Sequence, residues 1–385
     1  MLHDVVIAGA GPVGGTLALA LADADLDVVA LDTRARGTTL RQDRSLALSH
    51  GARLIFERLH VWARLAETKD AVTPIRTIDI SQAGGFGAAR LSADEQGLPA
   101  LGYVVSYIAL QHAIDAELAR TRTDVRYGAT VADVGGTPSY AAVTLADPAA
   151  DVLTARLAVV ADGTGAAVAG VTRERRAYDQ VALLAKVGMD APHGGVAFER
   201  FTPEGPVALL PEGDHYGLIW TMSPEQGERT MALPDDEFLA QLARHFGARV
   251  SGYRSVRDRK TFPLALEYAR PATAARCVLI GNAAQTLHPI AGQGFNLGVR
   301  DAFELARAII EGGRDALGDR AMVAGYASRR RVDRYAGIAF THGLTQLFAH
   351  DWPLLRWPRG AALTLLDAVL PAKRAFTRAM LFGLS

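Results

Sequence analysis

Four glycines in one stretch, Gly281, Gly292, Gly294 and Gly298, stand between an apolar run, Cys277-Val278-Leu279-Ile280, and an apolar-periodic segment reaching Ala306. The run has the length of a buried strand and the segment the period of a helix, so the glycines form a strand-to-helix turn. A side chain at Gly292 or Gly294 would hold the backbone away from a flat ligand. Without one, amides at the helix N-terminus can point at negative charge. Pro289 fixes φ just before the middle pair. Such a turn suits a large polar cofactor, although an ordinary βα connection would use glycine in the same way.

A second constellation opens the chain. Asp4-Val5-Val6-Ile7-Ala8 is followed by Gly9-Ala10-Gly11-Pro12-Val13-Gly14 and then by Leu17, Leu19 and Leu21. Strand, G-x-G-x-x-G and helix come in the order a dinucleotide site demands: Gly9 for the turn, Gly11 for approach of the pyrophosphate, Gly14 for helix-on-strand packing. Asp32 ends the next apolar run, 23 residues after Gly9, where its carboxylate can accept from an adenosine ribose or simply face solvent. This fingerprint does not separate FAD from NAD. The turn at Gly281 favours FAD, because an NAD dehydrogenase has no need of a second site for a ribityl chain and flavin ring.

The wording of that turn, Gly281-Asn282-Ala283-Ala284, His288-Pro289, Gly292-Gln293-Gly294-Phe295-Asn296-Leu297-Gly298 and Asp301, resembles the second FAD fingerprint of the flavin aromatic hydroxylases, more narrowly their ubiquinone-biosynthesis branch. Ala197-Phe198-Glu199-Arg200-Phe201-Thr202-Pro203, Gly205-Pro206, Leu209-Leu210-Pro211 and Phe262-Pro263-Leu264-Ala265-Leu266 are similar to the 2-polyprenyl-6-methoxyphenol hydroxylase subgroup. Arg330, Asp333, Thr345 and Leu347-Phe348 extend the resemblance over nearly the whole chain.

The resemblance implies FAD contacts at Gly9, Gly11, Pro12, Gly14, Asp32, Arg44, Gln111, Asp162, Gly163, Asn282, Gly292, Gln293, Gly294, Phe295 and Asn296. Pro289, His288 and Gly292 would stand at the reacting edge, with His288 given no role as a base. The wider family has aspartate where this chain has Asn282, which implies weaker but retained FAD binding. Ser106 and Thr164-Gly165-Ala166-Ala167 depart from the family pattern, so Ser106 takes no role and no pyridine-nucleotide site is assigned. The implied reaction has NAD(P)H reduce FAD and O2 add at the flavin C4a, and the resulting hydroperoxide passes its distal oxygen to a polyprenylated phenol. Hydroxylation of another small aromatic, or a non-catalytic flavin-binding subunit of a quinone-biosynthesis complex, are the competing readings. A flavin halogenase would need Trp-x-Trp-x-x-Pro, which none of Trp62, Trp220, Trp352 or Trp357 supplies.

The elements that must position these residues make an α/β, Rossmann-like FAD-binding domain (1–72, 101–175, 270–325) with an inserted antiparallel-sheet substrate domain (73–100, 176–269) and a helical tail (326–385). The glycine turns near Gly9, Asp162 and Gly281 should converge. At 385 residues the chain can bury two cores. Its 41 basic and 41 acidic residues give no net field for nucleic acid. No His-x-x-x-His, Cys-x-x-Cys or Ser-His-Asp pattern offers metal or nucleophilic chemistry. One cysteine and a strand directly after Met1 fit a cytoplasmic protein. Aromatic and basic residues interleave in the tail, where an amphipathic helix closing a core competes with peripheral contact at the inner membrane face.

Overall fold

The computed structural model describes residues 1–38, 43–147, 149–163, 165–288, 292–349 and 353–383; side chains 340, 341, 344–349 and 353–356 are outside the description. Pro289 and Trp352 therefore lie outside the described residues. Among the described residues the strands form two large sheets, of nine and eight strands, and a small one of three.

The first sheet is built on Leu2–Ala8, whose Val5, Val6 and Ile7 are wholly buried. Val28–Asp32 and Leu153–Val160 flank it in parallel, with Asp124–Tyr127 beyond the former and Cys277–Leu279 beyond the latter. Such β-branched, continuously apolar strands suit a parallel sheet covered on both faces. The pairings Ala8↔Leu31, Ala8↔Val160 and Val160↔Leu279 end these strands at one level, so the loops carrying Gly9, Asp162 and Gly281 are neighbours. The expected convergence holds. A crevice beyond the carboxyl ends of parallel strands is where such sheets bind ligands.

The second sheet has eight strands, among them Thr172–Met189, Val196–Thr202, Gly205–Glu212, His215–Met222 and Tyr253–Arg270. It is antiparallel except where Val196–Thr202 pairs in parallel with Thr77–Gln82. Period-two alternation divides its faces. Leu218 and Trp220 pack with Val207 and Leu209 against Phe238, Leu242 and Phe246 of the helix Asp235–Phe246. Ile219, Thr221 and Ala208 point the other way.

Thr172–Met189 and Tyr253–Arg270 are each 18 residues long and pair along almost their whole length. Both domain boundaries expected near 175 and 269 fall inside them. Charge-rich runs such as Arg254 to Lys260 conceal these strands, whose stability comes from cross-strand pairing. Register shifts beside Asp179, with φ +52°, mark a bulge on the first of them.

The helix Arg320–Ala349 starts six residues before the expected tail, followed by Pro353–Ala368 and Leu370–Phe382. A buried ion network docks it: Arg330 Nε donates to Asp301 Oδ1 (2.9 Å), Arg330 Nη1 lies 2.9 Å from Asp333 Oδ2, and Arg300 Nε donates to that same oxygen (3.0 Å). Lys373, also buried, holds the last helix to Glu95 and Asp367, at 3.0 Å each. Among the described residues no helix is long and apolar enough to cross a membrane.

Candidate cofactor and substrate site

The N-terminal turn is fixed by close packing. Gly9 has φ +99°, and a Cβ there would stand 2.8 Å from the Ala161 carbonyl and Asp162 Cα. A Cβ at Gly14 would lie 1.8 Å from Gly9 O, so the helix Pro12–Ala20 sits directly on the turn. At Gly11 a Cβ would meet no protein atom within 4 Å. Gly11 is also the N-cap, has no capping side chain, and is followed by Pro12 at the first helical position. Open space over uncapped amides is a place for an anion.

Beside it runs a polar chain that sequence reasoning caught only in part. Gln111 is wholly buried and donates to Ala10 O (3.1 Å) and Asp115 Oδ1 (2.7 Å). Arg34 joins Asp115 (3.1 Å) to Asp32, donating to it from its backbone N–H (2.8 Å), Nη2 (2.7 Å) and Nε (3.1 Å). Asp32 is thus not a solvated strand-end acid, the alternative to a ribose acceptor. It is buried and charge-paired, with lone pairs remaining for a further donor. Arg34 and Asp115 were missed, although Asp32-x-Arg34 and Gln111-x-x-x-Asp115 place them within reach. Asp162 accepts from Ala166 N–H (2.9 Å), and burial pushes its carboxyl above the ordinary aspartate range. Gln111 Oε1 and Asp162 Oδ1 are buried with no hydrogen-bond partner among the described residues.

The second turn leads through Gly281–Ala283, where Gly281 has φ +60°. It ends at Gly292, also at φ +60°, whose absent Cβ would be 2.8 Å from Ala47 Cβ. Gly292 is the uncapped N-cap of the 20-residue helix Gln293–Gly312. Asn296 holds this helix end to the strand Ser45–Ser49: Nδ2 donates to Ala47 O (2.9 Å) and Gly292 O (2.8 Å), and Oδ1 accepts from Ser49 N–H (2.8 Å). Its side chain is committed to the protein, so any contact with a cofactor is left to the main chain. Asn282, by contrast, is exposed into the cavity described next.

Beyond this turn lies a cavity of ≈ 510 Å³. Asn282, His288, Gly292, Gly294, Phe295 and Arg44 line one part of it, and the Arg44 guanidinium stacks 4.5 Å over the Tyr107 ring. Ile80, Ala197, Ala208 and Ile219 of the second sheet form an apolar wall broken by Glu199 and Thr221. Ala362, Leu366, Phe376 and Met380 close it, so the last two helices form a third wall that the sequence placed only as core or membrane surface. His288 is buried against Tyr178, ring centroids 5.2 Å apart, and burial pushes its imidazole down to about 4. Gln293 takes the first helical position, and Gly163 has φ +88° with open space where a Cβ would project.

The family model described as FAD binding domain matches residues 3–336. The chain belongs to this FAD-binding family. Ubiquinone hydroxylase UbiL of Rhodospirillum rubrum is 32% identical over 97% of this chain and 88% of its own. The 3-demethoxyubiquinol 3-hydroxylase of Escherichia coli is 28% identical, over 96% of each chain. The crystal structure of p-nitrophenol 4-monooxygenase PnpA from Pseudomonas putida superposes with a TM-score of 0.78 at 18% identity, covering 100% of this chain and 99% of that one, a likeness of fold.

FAD fits what the chain leaves open. Its pyrophosphate matches the space at Gly11, and its hydroxyls match the buried oxygens of Gln111 and Asp162 that lack donors. Among the described residues no group of three His, Cys, Asp or Glu side chains could hold a metal.

Proposed function

We propose that the chain is an FAD-dependent monooxygenase that hydroxylates a polyprenylated phenol in ubiquinone biosynthesis, as a 2-polyprenyl-6-methoxyphenol hydroxylase does, with NAD(P)H as electron donor and O2 as oxygen source. The observation that carries it is a largely aliphatic cavity of ≈ 510 Å³ that reaches the Gly292 turn and Asn282. A hydrophobic phenol and a flavin ring could share that space. The names of the Rhodospirillum rubrum and Escherichia coli relatives support the pathway.

Gly9, Gly11, Pro12 and Gly14 would receive the pyrophosphate, and Asp32 the ribose, with Arg34 moderating its charge. Gln111, Asp162, Gly163 and Asn282 would face the ribityl chain, and Arg44 the pyrophosphate and ring. Main-chain N–H groups from Gln293 to Asn296, with the helix dipole behind them, would stabilise negative charge on the reduced ring. When bound, FAD supplies the activation of oxygen. The protein's part is to align the phenol and keep water out, a task for the three apolar walls. His288 stays neutral at physiological pH and serves as a wall with a polar edge rather than a base.

Purified protein should carry a yellow chromophore and oxidise NADH or NADPH in the presence of 2-geranyl-6-methoxyphenol, with simple phenols as the comparison. Deletion of its gene should lead to accumulation of the methoxyphenol precursor. Normal quinone levels in the deletion strain would remove the pathway assignment.

A further inference from the structure

Along the sheet wall, Ala197, Glu199 and Phe201 alternate toward the cavity from the strand Val196–Thr202. Glu199 is paired with Ile80 on one side and Ala208 on the other, and Ala208 with Ile219. A carboxylate therefore sits mid-wall among aliphatic neighbours. None of the described residues gives it a hydrogen bond or ion pair. On the same face, two residues beyond Ile219, Thr221 Oγ1 is buried and has no hydrogen-bond partner among the described residues. Glu199 is half-buried, and a carboxylate drawn partly out of water with no partner is costly, so its presence in a wall otherwise built for hydrocarbon calls for a ligand group.

We propose that Glu199 is a catalytic residue that takes the proton from the hydroxyl of the aromatic substrate, which it meets across the cavity. This rests on the monooxygenase reading above. The phenolic O–H bond breaks heterolytically, its electron pair stays on oxygen, and the proton moves to a Glu199 carboxylate oxygen. The products are a phenolate and a carboxylic acid. The phenolate ring is the more electron-rich and attacks transferable oxygen more readily. Burial sets Glu199 for this work, raising its carboxyl from 4.5 to about 7. Glu199 is half-buried and borders the cavity, so a proton can reach it from a ligand there. The other titratable or charged groups lining the cavity are Arg44, Arg359 and His288. Burial pushes the His288 imidazole down to about 4, so it supplies no transition near neutral pH. The wall helices contribute only Ala362, Leu363, Leu366, Phe376 and Met380 besides Arg359.

The test uses the FAD-loaded protein with NAD(P)H, O2 and 2-geranyl-6-methoxyphenol, beside its methyl ether, which has no proton to give. Glu199→Gln should retain FAD and leave KM little changed, lower kcat on the phenol by about 10²-fold, and abolish the acid limb of the pH profile. On the ether, wild type and Glu199→Gln should turn over equally slowly. A Glu199→Gln protein that keeps both the wild-type rate on the phenol and the acid limb overturns the proposal and leaves the monooxygenase reading intact. Wild-type protein that binds FAD but hydroxylates no phenol overturns that reading instead. A measurement on the wild type alone adds an independent check. Binding of the phenol near neutral pH should produce the infrared band of a protonated carboxylic acid together with phenolate absorption, and a spectrum with neither rules the proton transfer out.

Discussion

Gly11 and Gly14 belong to one motif yet meet opposite surroundings. A methyl group at Gly14 would collide with Gly9 O at 1.8 Å, whereas one at Gly11 would enter open space. Gly14→Ala should therefore fail to fold or lose several kcal/mol of stability. Gly11→Ala should melt close to wild type but bind FAD at least about tenfold more weakly, because only the pyrophosphate feels the methyl. Flavin titration beside a thermal melt checks both, and equal FAD affinity in Gly11→Ala would count against the proposed cofactor position. Asn282→Ala should likewise lower flavin affinity, since Asn282 faces the cavity and none of the described residues hydrogen-bonds its side chain. At Glu199 protonation is linked to folding. Its carboxyl ionises near 4.5 unfolded and at about 7 folded, so the folded state binds more protons and wild-type stability falls as pH rises between those values. Glu199→Gln has no such slope. Urea unfolding at about pH 5.5 and pH 8 should show the variant gaining roughly 1–2 kcal/mol on wild type, after allowance for cavity water.

Among the elements, the helix Gln293–Gly312 packs against both the N-terminal helix Pro12–Ala20 and the helix Arg320–Ala349. Gly298 lets it approach the N-terminal helix, where a Cβ would be 3.0 Å from Gly281 Cα and Val13 Cγ2. Asn296 holds its start, and Asp301 receives Arg330 and Gln285, the latter donating at 2.8 Å. Removing one partner of a buried ion pair leaves the other charge uncompensated. Arg330→Ala should cost about 3–5 kcal/mol in urea unfolding and release flavin at lower denaturant than wild type. Both glycine turns were legible because a strand, a turn and a helix are consecutive, and their glycines answer to local geometry. Gln111 stood out by its resemblance to the family pattern while its partner network did not: Asp115 and Arg34 matter only once the helix Tyr107–Leu118 lies beside Asp32. Glu199 was quoted as part of a motif and given no task. Its role depends on which face of a strand meets the cavity, which is set by pairing with Ile80 and Ala208, far away in sequence.

For the whole molecule, the two-sheet architecture followed from short apolar runs beside the glycine motifs and from a strand-rich segment punctuated by glycine and proline, but the third wall did not. The tail's apolar residues read equally well as core or membrane face until the sheet opposite them is in place. Lys373→Ala would release the last helix from Glu95 and Asp367 and should loosen that wall, raising the yield of hydrogen peroxide per NAD(P)H consumed while flavin content stays constant. Unchanged coupling would show that the helix is held by its apolar contacts alone. The paired strands Thr172–Met189 and Tyr253–Arg270 carry a different consequence. At about 3.3 Å per residue each would span on the order of 60 Å if fully extended, and together they form a girder from the nucleotide side to the far rim of the second sheet. Hinging the two halves apart would tear a ladder of backbone bonds, so a bulky guest must arrive by displacing the helical doors and leave the frame unbent. Hydrogen–deuterium exchange with and without the phenol should change in residues 353–383 and stay silent along both girder strands.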